Sequence, residues 1–497
     1  MYEAKYQKYI TKSEARFAEP DEILNVTKLA FGHRWGTPAS GIPLLAKNGK
    51  VYVDNEDNHT FVIGPTGCKK SRVTVYTTVA SIVEAGESAI VNDPKGEIYR
   101  KTSQRARELG ADVILLNFRK PSSSHGWNPL SQAQRFYKAG KVDEALQCVS
   151  DFAESVVAPA QSKTVDNYWG DCSKIFLIAL VLMLMDSVTP EYFNIKTLIP
   201  FCYESAQRIL AEVIQDMDQS STTVFGIRTV TDLEAERTKS CIYSTLLSIL
   251  RPFAQNKNLT DMMCDDALNI EQIGQKQTIV YVVYPDEKEN LNFLVNLFLT
   301  QCYETLVCVA ADSFGDKLPV RVNFVLDEFS NLVPINNFAN RISEARSKNI
   351  RYFLFVQSYG QLKQKYSDCA ETIISNCNNW VCFSSKEMEF LHKLSQIYGK
   401  EVDYNGIEHD LISPFAMQYF EKKMESSEVL IVKQGKCPFV TALPDFDYIP
   451  ISKAYEPTAI SYVTINRETK SVTPEQWVAK IAGDVFKFPY PKVKECA

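Results

Sequence analysis

Short apolar runs alternate with helix-like segments over the first part of the chain. The runs Phe61–Ile63, Ser88–Val91 and Val113–Leu116 have the composition of buried strands, and a helix-like segment separates each from the next. This βαβαβ order is typical of a parallel sheet covered by helices. Strand-like runs return later at Thr278–Val283, Arg321–Leu326, Tyr352–Val356, Trp380–Phe383 and Val429–Val432. The pattern therefore predicts an α/β fold with a mainly parallel sheet.

A long stretch of helical periodicity interrupts this pattern. From Ala133 to about Asp261, apolar residues recur at helical spacing and strand signals are almost absent. The most apolar piece, Ile175–Met185, has the composition of a helix that is buried on several sides. We therefore predict an all-α domain that is inserted between two groups of strands.

The turn after the first strand-like run has the composition of a phosphate-binding loop. Such a loop needs small residues so that backbone N–H groups can surround the phosphates, a lysine for the terminal phosphates, and a hydroxyl for Mg²⁺. Lys70 and Ser71 supply the lysine and the hydroxyl. The predicted nucleotide-binding residues are Gly64, Pro65, Thr66, Gly67, Cys68, Lys69, Lys70, Ser71 and Arg72.

One position departs from the usual G-x-x-x-x-G-K-[ST] pattern of this loop. Lys69 occupies the place of the glycine that ordinarily precedes the essential lysine. If the backbone is left-handed there, a residue other than glycine costs about 1–2 kcal/mol. A second ammonium group beside Lys70 either adds to phosphate attraction or crowds the loop. A degenerate turn that binds no nucleotide is the alternative interpretation.

Two adjacent carboxylates follow the strand-like run Arg321–Leu326. In phosphate-loop enzymes the first acid, here Asp327, supports Mg²⁺ together with the loop hydroxyl of Ser71. The second acid, here Glu328, is then placed to polarise the water that attacks the γ-phosphate. An exposed acidic pair at the end of a strand is the alternative interpretation.

Two further residues are candidates for the chemistry of the γ-phosphate. Gln357 follows the run Tyr352–Val356, where an amide can sense that phosphate or orient the attacking water. Arg346 lies in the basic, helix-like segment Arg341–Arg351 and is a candidate arginine finger for a neighbouring subunit. The alternatives are a loop glutamine and a solvated or structural arginine.

Composition limits the classes of protein and partner. Apolar residues make up 45% of the chain and charged residues 23%, as in ordinary globular proteins. The net charge of -6 excludes a uniformly basic surface, so any DNA contact must be local. The 13 cysteines form no metal-binding pattern, which predicts reduced thiols in the cytosol. The longest apolar run, Ile175–Met185, is shorter than the ~20 residues of a membrane span, so we predict no transmembrane helix.

These signals predict five segments. Residues 1–59 form a lead-in with a β-hairpin at Asn48-Gly49, a dipeptide that favours a type I′ turn. The nucleotide-binding domain occupies residues 60–130 and 262–450, the inserted all-α domain occupies residues 131–261, and residues 451–497 form a C-terminal tail.

The order of the motifs resembles that of the type IV coupling proteins, the conjugative DNA-transfer ATPases of type IV secretion. The resemblance covers roughly residues 60 to 445 and rests on Gly64-Pro65-Thr66-Gly67-Cys68-Lys69-Lys70-Ser71, Asp93-Pro94-Lys95-Gly96-Glu97, Trp127-Asn128-Pro129-Leu130, the helical insertion, Leu326-Asp327-Glu328-Phe329 and Gln357-Ser358. It implies a RecA-like phosphate-loop NTPase with an inserted all-α domain.

The resemblance also implies a function and partners. We expect an ATPase that uses ATP and Mg²⁺ to recruit a relaxase–single-stranded DNA complex and drive its transfer. The expected partners are the ATPases and inner-membrane components of a type IV secretion channel, and the expected assembly is a homo-hexamer. The family's usual N-terminal membrane helices have no counterpart in this sequence, and we expect a cytoplasmic chain at the inner face of the membrane. Three explanations stay open: a soluble variant, a chain that docks on a separate membrane anchor, and a sequence from which the anchor is missing.

Two other functions remain open at this point. The scaffold can serve as a weak or inactive nucleotide-gated substrate receptor, which Lys69 favours. A translocase of the chromosome-segregation type shares the RecA-like core, although the helical insertion argues against it.

Overall fold

The computed structural model divides the chain into two compact units. It describes residues 15–31, 38–157, 168–285, 291–313, 315–402, 405–457, 459 and 464–488. The first unit, here called the sheet unit, comprises Met1–Leu115, Glu271–Val283 and Leu306–Ile460. The second, here called the helical unit, comprises Leu116–Ile270, Tyr284–Thr305 and Ser461–Ala497. The helical unit thus includes most of the segment set apart above as a tail, and the five-segment division stays a prediction.

A nine-stranded sheet is the frame of the fold. Its strands are β4 (His59–Ile63), β5 (Ser88–Asn92), β6 (Asp112–Asn117), β7 (Thr278–Val283), β8 (Val322–Leu326), β9 (Ile350–Val356), β10 (Cys377–Cys382), β13 (Ser426–Lys433) and β14 (Phe439–Pro444). Their spatial order is β14-β13-β10-β4-β9-β8-β5-β7-β6. The strands from β10 to β7 run parallel, whereas β13 and β14 are antiparallel additions. The predicted, mainly parallel sheet is confirmed.

The central strands read as continuous apolar runs because both faces of the sheet are covered. Every residue of β4, β5, β7, β8 and β9 is buried, as is usual for parallel strands between two layers of helix. Parallel strands bring their carboxyl ends to one edge of the sheet, where ligands of such folds bind. The phosphate loop after β4 and the acidic pair after β8 therefore share one edge.

The helices alternate with the strands in the sheet unit and follow one another in the helical unit. They are α1 (Pro20–Leu24), α2 (Tyr76–Glu84, preceded by a π turn at Ser71–Val75), α3 (Glu97–Glu108), α4 (Ser131–Lys138), α5 (Val142–Val157), α6 (Tyr168–Ser187), α7 (Ile195–Phe201), α8 (Gln207–Val213), α9 (Thr222–Thr231), α10 (Glu236–Gln255), α11 (Lys257–Met262), α12 (Asn292–Ala311), α13 (Phe338–Ala345), α14 (Tyr359–Tyr366), α15 (Cys369–Ser375), α16 (Met388–Tyr398) and α17 (Pro474–Ala482). The predicted all-α insertion is confirmed.

A small antiparallel sheet precedes the phosphate loop. Strands β2 (Pro43–Lys47) and β3 (Lys50–Val53) pair across Asn48-Gly49. Both turn residues have positive φ, 52° and 72°, as a type I′ turn requires. The predicted hairpin is confirmed. A short strand β1 (Lys28–Leu29) adds to β3, and a separate ribbon pairs β11 (Lys400–Val402) with β12 (Glu408–Asp410).

The helical unit is built around α6, which packs against α5, α9 and α10. Helix α9 approaches α6 closely at Gly226, where a Cβ atom would lie 2.6 Å from the Cβ of Ala179. The C-terminal helix α17 belongs to the same unit. Its Trp477 is fully buried, and the indole nitrogen donates a hydrogen bond to the Oγ of Ser187 at 3.0 Å. Helix α17, within the segment predicted as a C-terminal tail, therefore contributes to the core of this unit.

Two helices have the length and composition of membrane spans. The mean hydropathy reaches 1.6 in Tyr168–Ser187 and 1.5 in Asn292–Ala311, and 61% and 78% of these windows are buried in the fold. The prediction of no transmembrane helix rested on an uninterrupted apolar run, and single polar residues such as Lys174 do not end a helix, so it stays a prediction. Such burial is also usual for core helices of soluble proteins.

The basic segment Arg341–Arg351 is not one helix. Helix α13 ends at Ala345, a 3₁₀ turn covers Arg346–Lys348, and β9 begins at Ile350. The change of direction occurs at Asn349, whose φ is 65°. Arg351 is therefore a strand residue, and it is almost completely buried.

His59, the first residue of β4, gives the sheet unit a predictable pH dependence. It is fully buried, and its Nδ1 accepts a hydrogen bond from the backbone N–H of Tyr352 at 3.0 Å. Burial, with nearby arginines, lowers the pKa of His59 from 6.5 to about 3. His59 therefore binds a proton at about pH 6.5 in the unfolded chain but only at about pH 3 in the folded chain. Stability falls as the pH falls through this window, because the unfolded chain binds the proton first.

We expect this residue to remove about 2 kcal/mol of stability between pH 7 and pH 5, since each pKa unit corresponds to about 1.36 kcal/mol. Urea denaturation of wild type and His59→Gln at both pH values measures the effect, because the variant retains a hydrogen-bond acceptor and cannot titrate. An equal pH dependence of the two proteins would contradict the assignment.

Candidate nucleotide-binding site

The phosphate loop joins β4 to the π turn that begins at Ser71, and its glycines are needed for steric reasons. A Cβ atom at Gly64 would lie 2.7 Å from the Sγ of Cys68 and 2.8 Å from the Cβ of Phe383. Gly67 has a φ of 83°, in the left-handed region. Pro65, Thr66 and Gly67 are exposed at the tip of the loop. The backbone is thus folded tightly against β10 and open toward solvent.

Lys69 adopts the left-handed conformation that a glycine would ordinarily adopt, with a φ of 69°. Its side chain turns away from the exposed tip of the loop. The Nζ atom donates hydrogen bonds to the carbonyl oxygens of Lys423 and Met424, at 3.1 and 2.6 Å, and lies 3.2 Å from the Oδ2 of Asp445. The conformational cost expected from the sequence is present, and it accompanies a set of contacts that the sequence did not indicate.

Lys70 lies beneath the loop with little exposure to solvent. Its Nζ atom donates a hydrogen bond to the carbonyl oxygen of Val356, the last residue of β9, at 3.0 Å. Burial lowers the pKa of Lys70, and the negative charges of Asp327 and Glu328 oppose this effect. A cation held in this way has an energetic reason to exchange a carbonyl group for a phosphate anion.

Ser71 and Asp327 meet at the start of the helix. The Oγ of Ser71 donates a hydrogen bond to the Oδ2 of Asp327 at 3.1 Å. The backbone carbonyl of Asp327 accepts a hydrogen bond from the Nδ2 of Asn92 at 2.6 Å, which fixes the ends of β8 and β5 together. Burial raises the pKa of Asp327, and the ammonium group of Lys70 opposes this effect.

Glu328 is held in an unusual backbone conformation beside the buried Asp327. Its φ is 54°, and its N–H donates a hydrogen bond to the Oδ1 of Asp327 at 3.1 Å. The Oε2 atom accepts a hydrogen bond from the Nδ2 of Asn331 at 2.7 Å, and the Oε1 atom lies 4.0 Å from the Nζ of Lys95. The carboxylate is thus oriented from two sides.

Gln357 contacts the phosphate loop directly. Its Oε1 accepts a hydrogen bond from the Oγ of Thr66 at 2.9 Å. The hydroxyl of Ser358 and the backbone N–H of Tyr359 donate to the carboxylate of Glu387, which fixes the start of α14 immediately after Gln357.

Three predicted site residues are directed elsewhere. Lys69 and Arg72 both pair with Asp445, and Arg72 also pairs with Asp447. Arg346 is exposed and precedes β9. It therefore lies at the edge of the sheet opposite the phosphate loop, and its role as an arginine finger for another subunit stays a prediction.

Sequence reasoning left two nearby residues out of the site. Asp93, at the end of β5, is buried and accepts hydrogen bonds from the backbone N–H groups of Glu97 and Tyr99 at 3.0 and 2.8 Å. Burial raises its pKa to about 7. Lys95 projects beside Glu328. The Asp93-Pro94-Lys95-Gly96 run at a carboxyl strand end was the available signal, since parallel strands bring such ends together.

The side chains at this edge enclose a small cavity of about 40 Å³ that is lined by Ser71, Tyr76, Asp93, Pro94, Lys95, Glu97, Ile98, Asp327 and Glu328. Its hydroxyl and carboxylate oxygens are the donors that Mg²⁺ prefers, and Mg²⁺ ordinarily keeps several waters. The donor set of Ser71 and Asp327 therefore fits this ion. Together, the sheet and this edge define the fold as that of the RecA-like phosphate-loop NTPases.

The family model described as "Type IV secretory system Conjugative DNA transfer" matches residues 11–413. The chain belongs to this family. Among curated proteins, VirD4 of Rhizobium radiobacter is 21% identical over 362 residues, covering 71% of this chain and 49% of the relative. VirD4 of Agrobacterium fabrum is 21% identical over 429 residues, covering 84% of this chain and 60% of the relative. The chain thus spans half to three fifths of their length.

Solved structures share the fold. The plasmid coupling protein TrwB, in complex with the ATP analogue ADPNP, aligns with a TM-score of 0.58 at 14% identity over 90% of this chain and 97% of TrwB. TrwB in complex with ADP and Mg²⁺ aligns with a TM-score of 0.56 at 13% identity over 92% and 95%. VirB4 of Thermoanaerobacter pseudethanolicus aligns with a TM-score of 0.52 at 12% identity over 81% and 96%. These likenesses confirm the predicted RecA-like architecture.

Proposed function

We propose that this chain is a coupling-protein ATPase of a conjugative type IV secretion system. It uses ATP hydrolysis to recruit and drive the transfer of relaxase-bound single-stranded DNA. The observation that carries the proposal is the convergence of Lys70, Ser71, Asp327, Glu328 and Gln357 at one edge of the sheet, next to a loop with the backbone of a phosphate site. The family membership and the TrwB complexes with ADPNP and with ADP and Mg²⁺ support the choice of ATP.

The side chains divide the work of hydrolysis. Lys70 leaves the carbonyl of Val356 and binds the terminal phosphates, while the loop amides surround the others. Ser71 and Asp327 would hold Mg²⁺, which would supply positive charge to the phosphates. Glu328 polarises the attacking water as a general base, and Gln357 orients that water or senses the γ-phosphate.

The family membership supports a proposal for the assembly and the partners. We infer a homo-hexamer in which Arg346 serves a neighbouring subunit. We further infer the ATPases and inner-membrane components of the secretion channel as partners, and a cytoplasmic location at the inner face of the membrane beside a separate anchor. Contacts with single-stranded DNA would depend strongly on salt, because backbone phosphates dominate such binding.

The first test measures ATP hydrolysis and equilibrium binding of a fluorescent ATP analogue by the purified chain with Mg²⁺, with and without single-stranded DNA. We expect Lys70→Ala to weaken nucleotide binding by about 10- to 150-fold, because a hydrogen bond that involves a charged group contributes about 1.5–3 kcal/mol. Lys365→Ala, an exposed lysine on α14, is the matched control and should bind nucleotide like the wild type. A wild type that binds no nucleotide, or a Lys70→Ala variant that hydrolyses ATP normally, would refute the proposal.

A further inference from the structure

Two segments of the sheet unit contact the phosphate loop. The first is the stretch 422–427, which leads into β13. The Nζ of Lys422 donates to the carbonyl oxygen of Gly67 at 2.5 Å, and the Oγ of Ser427 donates to that of Cys68 at 3.4 Å. The second is the turn Asp445–Asp447 after β14. These contacts connect residues more than 350 positions apart in the sequence.

Lys69 joins both segments to the loop. Its ammonium group donates to the carbonyl oxygens of Lys423 and Met424 and pairs with Asp445. Three acceptors match the three N–H donors of a lysine. No donor of Lys69 is then left for a phosphate without breaking one of these contacts.

Asp445 has a strong reason to keep Lys69. Its side chain is only 1% exposed, whereas the side chain of Lys69 is 19% exposed. Burial alone would raise the pKa of Asp445, but the hydrogen bonds from Arg72 and Lys69 outweigh burial and lower it. A buried carboxylate that loses a cationic partner is destabilised, although Arg72, which also pairs with Asp445, remains when Lys69 is removed. The pairing therefore works in both directions, fixing the lysine and satisfying the acid.

We propose that Lys69 is a positioning residue and not a phosphate ligand: with Asp445 and the carbonyl groups of Lys423 and Met424 it forms a clasp that holds the phosphate loop in its left-handed, nucleotide-ready conformation. A lysine at a position with positive φ is strained, and the clasp compensates for that strain. The purpose of the clasp rests on the proposed function, since a fixed loop presents its amides to phosphate without further ordering. The clasp itself is tested without nucleotide.

The decisive measurement is hydrogen–deuterium exchange of the loop amides, residues 64–71, in the full chain without nucleotide. We expect Lys69→Met and Asp445→Asn each to speed exchange of these amides by about 10-fold or more, because either change opens the clasp. Lys69→Arg retains the cation and should stay within about threefold of the wild type. The matched control is Lys101→Met, which removes a neighbouring ion pair to Asp447 without touching Lys69.

The double variant Lys69→Met/Asp445→Asn separates a clasp from two independent defects. In a clasp the two side chains act together. The loop amides of the double variant should therefore exchange at most about threefold faster than those of the faster single variant. Unchanged exchange in Lys69→Met, or multiplied effects in the double variant, would overturn the proposal. If a variant loses the whole fold, exchange also becomes faster in β5 and β8. In that event the comparison of Lys69→Arg with Lys69→Met decides whether the clasp exists.

Nucleotide binding is an independent test. The clasp and the alternative, in which Lys69 is a phosphate ligand, predict changes of opposite sign in nucleotide affinity. For a clasp, Asp445→Asn should weaken binding of a non-hydrolysable ATP analogue by about 10-fold. If Lys69 were a phosphate ligand restrained by Asp445, the same change would free it and strengthen binding, which would overturn the clasp. A wild type that binds no analogue refutes the proposed function instead, and the exchange comparison still decides whether the clasp exists.

Discussion

Glu328→Gln is expected to lower the rate of ATP hydrolysis by about 10²–10⁴-fold, the usual contribution of a general base. The amide of glutamine has nearly the same shape as the carboxylate but cannot accept a proton from water. Because Glu328 lies beside Ser71 and Asp327, the proposed Mg²⁺ donors, and is not proposed as one of them, nucleotide affinity should change by less than about threefold. The variant should therefore bind nucleotide and hold it without turnover.

The surroundings of Glu328 make this expectation specific. The carboxylate is fixed by Asn331 and lies near Lys95, and its side chain is only 17% exposed. Its left-handed backbone is a strained conformation of the kind that clusters at functional sites. A glutamic acid selected only for solubility would not be held in this way.

The matched control is Glu344→Gln, which changes an exposed acid on α13 in the same unit. Steady-state phosphate release and equilibrium binding of a fluorescent ATP analogue are measured on both variants. Normal hydrolysis by Glu328→Gln would remove Glu328 from the mechanism. A parallel loss of binding would show that the residue acts on the nucleotide and not on the water.

Much of the sheet and of the site was predictable because its signals are local. Buried parallel strands are continuous apolar runs, so β5, β7 and β8 were found within a residue or two of their observed bounds. The contact of Ser71 with Asp327 follows from topology, since the two residues follow the carboxyl ends of β4 and β8, parallel strands that only β9 separates. The chemistry of hydroxyl, lysine and carboxylate then requires no long-range information.

The directions of the Lys69 and Arg72 side chains were not predictable, because they depend on a residue far away in the sequence. Both side chains are fixed by Asp445, which follows β14, a strand that the sequence analysis did not identify. The burial pattern of β14 is mixed, as is usual at the edge of a sheet, so it lacks the continuous apolar run of the central strands. Two lysines in a phosphate loop suggested phosphate binding, because nothing in the local sequence indicated the contact with Asp445.

Arg351 contributes to stability through contacts that the local sequence did not indicate. In the sequence it ends a run of basic residues and resembles part of a solvated helix. In the fold it is the second residue of β9, and its guanidinium donates hydrogen bonds to Asn323, to the carbonyl and hydroxyl of Ser40, and to Glu87 at 2.9 Å. Burial lowers its pKa to about 10, which still leaves it protonated at neutral pH.

Arg351→Met is therefore expected to destabilise the sheet unit by about 3–5 kcal/mol, the usual effect of removing one partner from a buried ion pair. Methionine fills part of the volume but satisfies none of these acceptors. Arg321 also pairs with Glu87, at 3.2 Å, so the carboxylate keeps one cation and the loss should lie nearer the lower figure.

Urea denaturation followed by tryptophan fluorescence measures the effect of this change. The control is Lys363→Met, which breaks an exposed ion pair with Glu389 and should change stability by about 0–1 kcal/mol. Equal stability of Arg351→Met and the wild type would mean that water reaches this cluster and replaces the guanidinium. The expected difference between Arg351→Met and Lys363→Met comes from burial. Removing a charge from the surface leaves its partner in water, whereas removing the buried guanidinium leaves its acceptors without a partner.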